Sequence, residues 1–126
     1  MKEKFVVGNR KVAIVGAGYV GASIAYALAL KDIAREIVLI DRNKEKAEGE
    51  AWDIRHGLPI IGTVDLYAGE YSDCEDCDLI VITAGRNRRA GESRLDLIQD
   101  NTKILREVIE SIQRYYTRGA ILVISN

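Results

Sequence analysis

The stretch Val15-Gly16-Ala17-Gly18-Tyr19-Val20-Gly21 is a G-x-G-x-x-G that falls where an apolar run gives way to an alanine-rich one. In that spacing the first glycine permits a tight turn and the second lets the backbone approach a pyrophosphate. The third lets a helix pack closely on the preceding strand. The N–H groups and dipole of the helix start then attract phosphate charge. Glycine turns also arise by chance, so the flanks decide. Lys11-Val-Ala-Ile-Val15 before the turn reads as a β-strand, Tyr19 to Leu30 after it as a helix, and Glu36-Ile-Val-Leu-Ile40 as a second strand ending in Asp41. An acid about 20 residues beyond the glycines is where the hydroxyl pair of a ribose is held. Turn, helix and acid together predict dinucleotide binding.

Asp41 also discriminates between cofactors. A carboxylate accepts hydrogen bonds from the 2′- and 3′-hydroxyls of a ribose and repels a 2′-phosphate, so NAD is preferred. The next residue, Arg42, keeps NADP open as an alternative, because an arginine there can reach a phosphate. A P-loop is excluded, since no G-x-x-x-x-G-K-[ST] occurs.

Working outward, Val- and Ile-rich runs at 12–16, 36–40, 64–68, 79–83 and 120–125 alternate with helical stretches at 19–31, 43–56 and 95–116. Near-continuous apolar runs suit parallel strands covered on both faces. The β-α-β-α-β order with short connections predicts an α/β, doubly wound, mainly parallel sheet. In the first helix Ala22, Ala25, Ala27 and Ala29 are small enough for close approach to the sheet or to another subunit. In the third, Leu95, Ile98, Thr102, Leu105, Ile109, Ile112 and Tyr116 recur at three and four residues and predict one apolar stripe. Ser93 with Asp96 reads as a capping box at its start.

At 126 residues the chain is one domain. A content of 48% apolar and 29% charged residues is that of a globular protein, neither disordered nor membrane-embedded. With 18 basic against 19 acidic residues, no net field argues for nucleic acid or an anionic membrane as partner. No leader-like or membrane-spanning run occurs, and a cytoplasmic location is the expectation. Cys74-Glu-Asp-Cys77 formally reads C-x-x-C. Acids lie between the thiols and a strand follows, so two unpaired loop thiols are expected and no metal site.

The long polar segment Gly85-Arg-Asn-Arg-Arg-Ala-Gly-Glu-Ser-Arg94 follows the fourth strand. In an open α/β sheet that is the mouth of the ligand crevice, and a loop there is a candidate lid. Arg86, Arg88, Arg89 and Arg94 lie within nine residues. A guanidinium fork binds a carboxylate through two parallel hydrogen bonds, so the loop suits an anionic organic acid, although a solvated basic loop has the same composition. Thr83-Ala84-Gly85 supplies small residues where a ring or ribose needs room, or a plain strand-to-loop transition. His56, the only histidine, lies at a helix end away from these segments and reads as structural.

These segments resemble the L-lactate/malate dehydrogenases: the glycine turn, Ile-Val-Leu-Ile-Asp41, Asp53-Ile-Arg-His-Gly57, Thr83-Ala-Gly85 and above all Gly91-Glu-Ser-Arg94-Leu-Asp-Leu. The resemblance runs from residue 11 to 126. It implies a Rossmann fold in which Gly16, Gly18, Val20 and Gly21, with Tyr19 between them, hold the cofactor pyrophosphate. Asp41 would bind the adenosine ribose and Lys46 would stand near the adenosine end. Thr83, Ala84, Gly85 and Ser125 would line the nicotinamide side, with Asn126 beside them.

On the substrate side the resemblance implies that Arg94 polarises the substrate carbonyl and Asn126 hydrogen-bonds substrate. Arg88 would read the far end of a small 2-hydroxy or 2-oxo acid. Lactate enzymes usually carry Gln at that position and malate enzymes Arg, while Gly-Glu-Ser-Arg-Leu-Asp-Leu is closer to lactate enzymes, so the two signals conflict. The resemblance further implies a dimer or tetramer, and that residues 1–126 form an NAD-binding domain cut before its sixth strand. The histidine–aspartate pair and second arginine of the family lie in a C-terminal half, so these residues alone are expected to bind NAD weakly and not to turn over. Two other classes share the glycine turn and the acid: S-adenosylmethionine-dependent methyltransferases, which leave the arginine loop unexplained, and non-catalytic dinucleotide-binding modules.

Overall fold

The computed structural model describes residues 10–58 and 64–125. Five strands, β1 (Lys11–Val15), β2 (Glu36–Ile40), β3 (Asp65–Ala68), β4 (Leu79–Ile82) and β5 (Ala120–Val123), form one sheet in the order β3-β2-β1-β4-β5. All pairings are parallel, with Ala13 level with Val38 on one side and Ile80 on the other. Three α-helices connect them, α1 (Tyr19–Leu30), α2 (Lys44–Gly57) and α3 (Arg94–Gln113), with a 3₁₀ turn at Tyr71–Cys74. The doubly wound fold expected from the alternation is therefore present. The chain reverses its direction of travel between β1 and β4, which is where such sheets open a ligand crevice at their carboxyl ends.

Strand side chains alternate between two apolar layers, as the pleat requires. On one face Val12, Ile14, Ile37, Leu39, Leu66 and Val81 meet the small residues of α1 and α2, among them Ala25, Ala29, Ala47 and Ala51. On the other, Ala13, Val15, Val38, Ile40, Ile80 and Ile82 meet Val108 and Ile112 of α3 and the two cysteines. Each large side chain so buried contributes about 1.5–3 kcal/mol relative to exposure. Alanines at 25 and 29 let α1 lie close to the sheet. Among the described residues no helix is long and apolar enough to cross a membrane.

Two expectations need correction. The third helix does not bury the stripe 95/98/102/105/109/112/116: of these, Leu105 and Ile112 pack inward, while Leu95, Ile98, Ile109 and Tyr116 are exposed. The buried row is Asn101, Ile104, Leu105, Val108 and Ile112. The helix carries two apolar rows, and the sheet can accept only the one whose polar member, Asn101, meets the backbone of the preceding loop. The fifth apolar run was expected to be covered on both faces. Among the described residues β5 instead pairs only with β4, and its residues are exposed, because no described helix packs over it.

Candidate functional site

The glycine turn follows β1 directly and its three glycines do three different things. Gly16 sits at φ +111°, a conformation that disfavours a side chain, and a Cβ there would lie 2.5 Å from the Thr83 hydroxyl. A Cβ on Gly21 would collide with the Gly16 carbonyl, so α1 can approach the turn only without one. A Cβ on Gly18 would meet nothing within 4 Å: its missing side chain leaves open space in front of the first turn of α1. The turn is pinned on both sides, by the Gly16 N–H to the Ile40 carbonyl at 2.7 Å and by the Thr83 hydroxyl within 3.2 Å of the Val15 and Gly16 carbonyls.

Asp41 follows β2 directly and is built into the same turn. One carboxylate oxygen accepts the Ala17 N–H at 2.7 Å and the other the Asn43 N–H at 2.8 Å. Each oxygen has a second lone pair, so the group can still accept hydroxyl donors from a ligand. Asn43 then caps α2 by accepting the Lys46 N–H, which carries Arg42 and Lys46 to the same rim.

These elements enclose a cleft of about 500 Å³ lined by Gly16, Gly18, Asp41, Lys46, Thr83, Ala84 and Gly85 from the expected set. Its other wall was not foreseen. Tyr71 from the 3₁₀ turn and Ile104, Glu107 and Ser111 from α3 also line it. Burial, and less so the nearby Cys74, raises the pKa of the Tyr71 phenol. Gly69, Ser72 and Asp73 mark a turn here in the sequence, but a tyrosine among acids gives no periodic signal that it faces a cleft.

The remaining expected cofactor residues stand apart from this lining. Tyr19 is 89% exposed and Val20 about half exposed at the start of α1, while Gly21 is buried beneath the turn. Ser125 donates to the Ala84 carbonyl at 2.6 Å, bracing the strand end from below. Asn126 lies outside the described residues.

A second cavity, about 450 Å³, opens beside the first and is lined by Arg86, Asn87, Arg88, Arg94, Leu97 and Ile98. Arg86 forms part of both walls. The four loop arginines, alike in sequence, separate here. Arg86, Arg88 and Arg94 all line the cavity, but Arg86 alone of the three is held by carboxylates, those of Glu92 and Asp100, the latter at 2.7 Å. That guanidinium holds the Glu92 carboxyl down to about 2. Asn101, only 3% exposed, accepts the Arg86 N–H at 2.9 Å and donates to its carbonyl. A polar residue inside an apolar helix row was the available signal for Asn101.

His56 stacks on Trp52 with ring centroids 3.9 Å apart and lines neither cavity. The two cysteines are unpaired thiols, as expected, and both are fully buried. Burial, then each other's proximity, pushes Cys74 up to about 12, and burial lifts Cys77 to about 11, so neither is a nucleophile near neutral pH.

The match to known proteins covers this whole arrangement. Residues 10–126 match the family model described as lactate/malate dehydrogenase, NAD binding domain. An L-lactate dehydrogenase of Priestia megaterium is 50% identical over 126 residues, all of this chain and 40% of that protein. Another, of Thermoanaerobacter sp. (strain X514), is 49% identical over 92% of this chain and 37% of its own length. The crystal structure of a minor L-lactate dehydrogenase from Enterococcus mundtii, in a ligand-bound form, superposes with a TM-score of 0.88 at 44% identity, covering 94% of this chain and 38% of that one. The chain thus spans about two fifths of the length of the relatives it matches.

Proposed function

Because the chain belongs to the lactate/malate dehydrogenase NAD binding domain family, we propose that it is the cofactor-holding part of an NAD-dependent L-2-hydroxy-acid dehydrogenase of the lactate type. The observation that carries the reading is the adjacency of the two cavities: a glycine-lined cleft ending in Asp41, and beside it a cavity holding Arg88 and Arg94. The residues fit the cofactor. The space in front of Gly18 is what a pyrophosphate at a helix start requires, and Asp41 keeps lone pairs for ribose hydroxyls. NAD, when bound, supplies a hydride acceptor at the nicotinamide carbon.

The chain's own groups orient and polarise. In this reading Gly16, Gly18 and the first N–H groups of α1 hold the pyrophosphate, with Tyr19 and Val20 flanking and Gly21 allowing the helix its close approach. Lys46 stands at the adenosine end, and Thr83, Ala84, Gly85 and Ser125 form the nicotinamide side. Arg94 draws charge from the substrate carbonyl, Arg88 meets the far end of the acid, and Asn126 hydrogen-bonds substrate. General acid/base chemistry comes from elsewhere in the full-length enzyme, since His56 is engaged with Trp52.

Relatives named L-lactate dehydrogenase favour the lactate–pyruvate pair. A second reading, the malate–oxaloacetate pair, is favoured by Arg88, whose charge in the cavity suits a second carboxylate. The test is steady-state turnover of pyruvate and oxaloacetate by the full-length enzyme and its Arg88→Gln variant. We expect pyruvate turnover in the parent and a loss of any oxaloacetate activity of roughly tenfold or more in the variant, the worth of one charge-assisted bidentate pair. Absence of NADH oxidation with any 2-oxo acid would overturn the proposal.

A further inference from the structure

We propose that Arg86 is a positioning residue: its guanidinium straps both ends of the loop between β4 and α3 to the helix, and so sets where Arg88 stands in the second cavity. The proposal rests on the dehydrogenase reading of that cavity. It follows a continuous path of contacts. α3 holds Arg86 at two points, the Asp100 carboxylate, which takes Nε at 3.1 Å and Nη2 at 2.7 Å, and the Asn101 amide, which takes its backbone N–H. Arg86 in turn grips both oxygens of Glu92, six residues along the chain. Glu92 folds the loop around itself: its carboxylate accepts the Arg89 N–H at 2.9 Å, its own N–H donates to the Arg89 carbonyl at 3.1 Å, and its carbonyl accepts Arg88 Nε at 3.0 Å. Arg88 therefore hangs from Glu92, Glu92 from Arg86, and Arg86 from α3.

Arg94 begins the same helix, where the Ser93 side chain accepts the Asp96 N–H at 3.1 Å. Both cavity arginines are thus referenced to one rigid element. Only arginine can make this strap, because its planar fork addresses two carboxylates at once whereas an ammonium is a single point of charge. The side chain is 19% exposed and that of Glu92 12%, so the pair is shielded more than an ordinary surface ion pair. With its Nε and both terminal nitrogens given to acceptors, Arg86 is also not the substrate's partner, although its sequence neighbours are.

The test uses the full-length enzyme with Arg86→Lys, which keeps the charge and loses the fork, and Glu92→Gln, which attacks the strap from the other end. We expect amide exchange across residues 86–92 to speed up by roughly tenfold in both, while NADH affinity stays within about threefold in Glu92→Gln, whose side chain lines neither cavity. The ratio of kcat/KM for oxaloacetate to that for pyruvate should move by roughly tenfold in both, and should not move when the same changes are made in an Arg88→Gln background, because the strap acts through Arg88. A ratio that does not change, or one that changes equally without Arg88, overturns the positioning role. Should the parent enzyme reduce no 2-oxo acid, the dehydrogenase reading fails by itself. Loop exchange then decides the strap alone, and unchanged exchange overturns it.

Discussion

Gly18 and Gly21, three residues apart in one motif, answer to different constraints, and substitution separates them. Gly18→Ala adds a methyl into open space and leaves the backbone unstrained at φ −77°. Its stability should stay within about 0.5 kcal/mol of the parent, while NADH affinity falls because the methyl occupies the pyrophosphate's approach. Gly21→Ala drives a methyl into the Gly16 carbonyl. That overpacking is expected to cost about 1–3 kcal/mol, read as a lower Tm. Equal Tm losses in the two variants would contradict this division. The tight turn at Gly16 and the close approach at Gly21 were legible because spacing alone encodes them. What Asp41 does to the fold was not: its bond to the Ala17 N–H joins residues 24 apart, and no local pattern announces such a pairing. The loop arginines were likewise indistinguishable until Glu92 and Asp100 claimed Arg86.

At the scale of elements, α3 shows how periodicity finds a helix without finding its face. Its residues offer apolar side chains on two adjacent rows, and propensity cannot choose between them. The choice is made by contact with β4 and by Asn101, whose amide must meet Arg86 backbone atoms that only the folded loop presents. The consequence is measurable. Ile112→Ala, at a site 2% exposed, is expected to cost about 2–5 kcal/mol in denaturant unfolding. Ile109→Ala, at a site 38% exposed, is expected to cost less than about 1 kcal/mol. Comparable losses would restore the 95/98/102/109 row as the buried one. The five strands and three helices were readable within a few residues of their ends, since each is a continuous apolar or periodic run. The 3₁₀ turn at Tyr71–Cys74 was not, because four residues are too few to show a period.

For the whole molecule, the order β3-β2-β1-β4-β5 brings the ends of β1, β2 and β4 together, so that Gly16, Gly18, Asp41, Arg42, Lys46 and residues 83–86 share one cleft. The 126-residue polypeptide is accordingly expected to bind NADH, seen as fluorescence enhancement, but not to oxidise it with pyruvate or oxaloacetate, because its one histidine lines neither cavity. Steady turnover by this polypeptide alone would contradict the assignment of proton chemistry to other parts of the enzyme. The sequence by itself determined the alternation of strands and helices, the glycine turn after β1 and the acid that follows β2, because each is written in spacing along the chain. Only the tertiary structure decided which face of α3 is buried, that Tyr71 and α3 wall the cleft, and that of the three arginines lining the second cavity Arg86 is the one paired with Glu92 and Asp100. Those outcomes depend on which distant groups meet, and that is settled by packing and by the pairing of charges, neither of which is local to any segment.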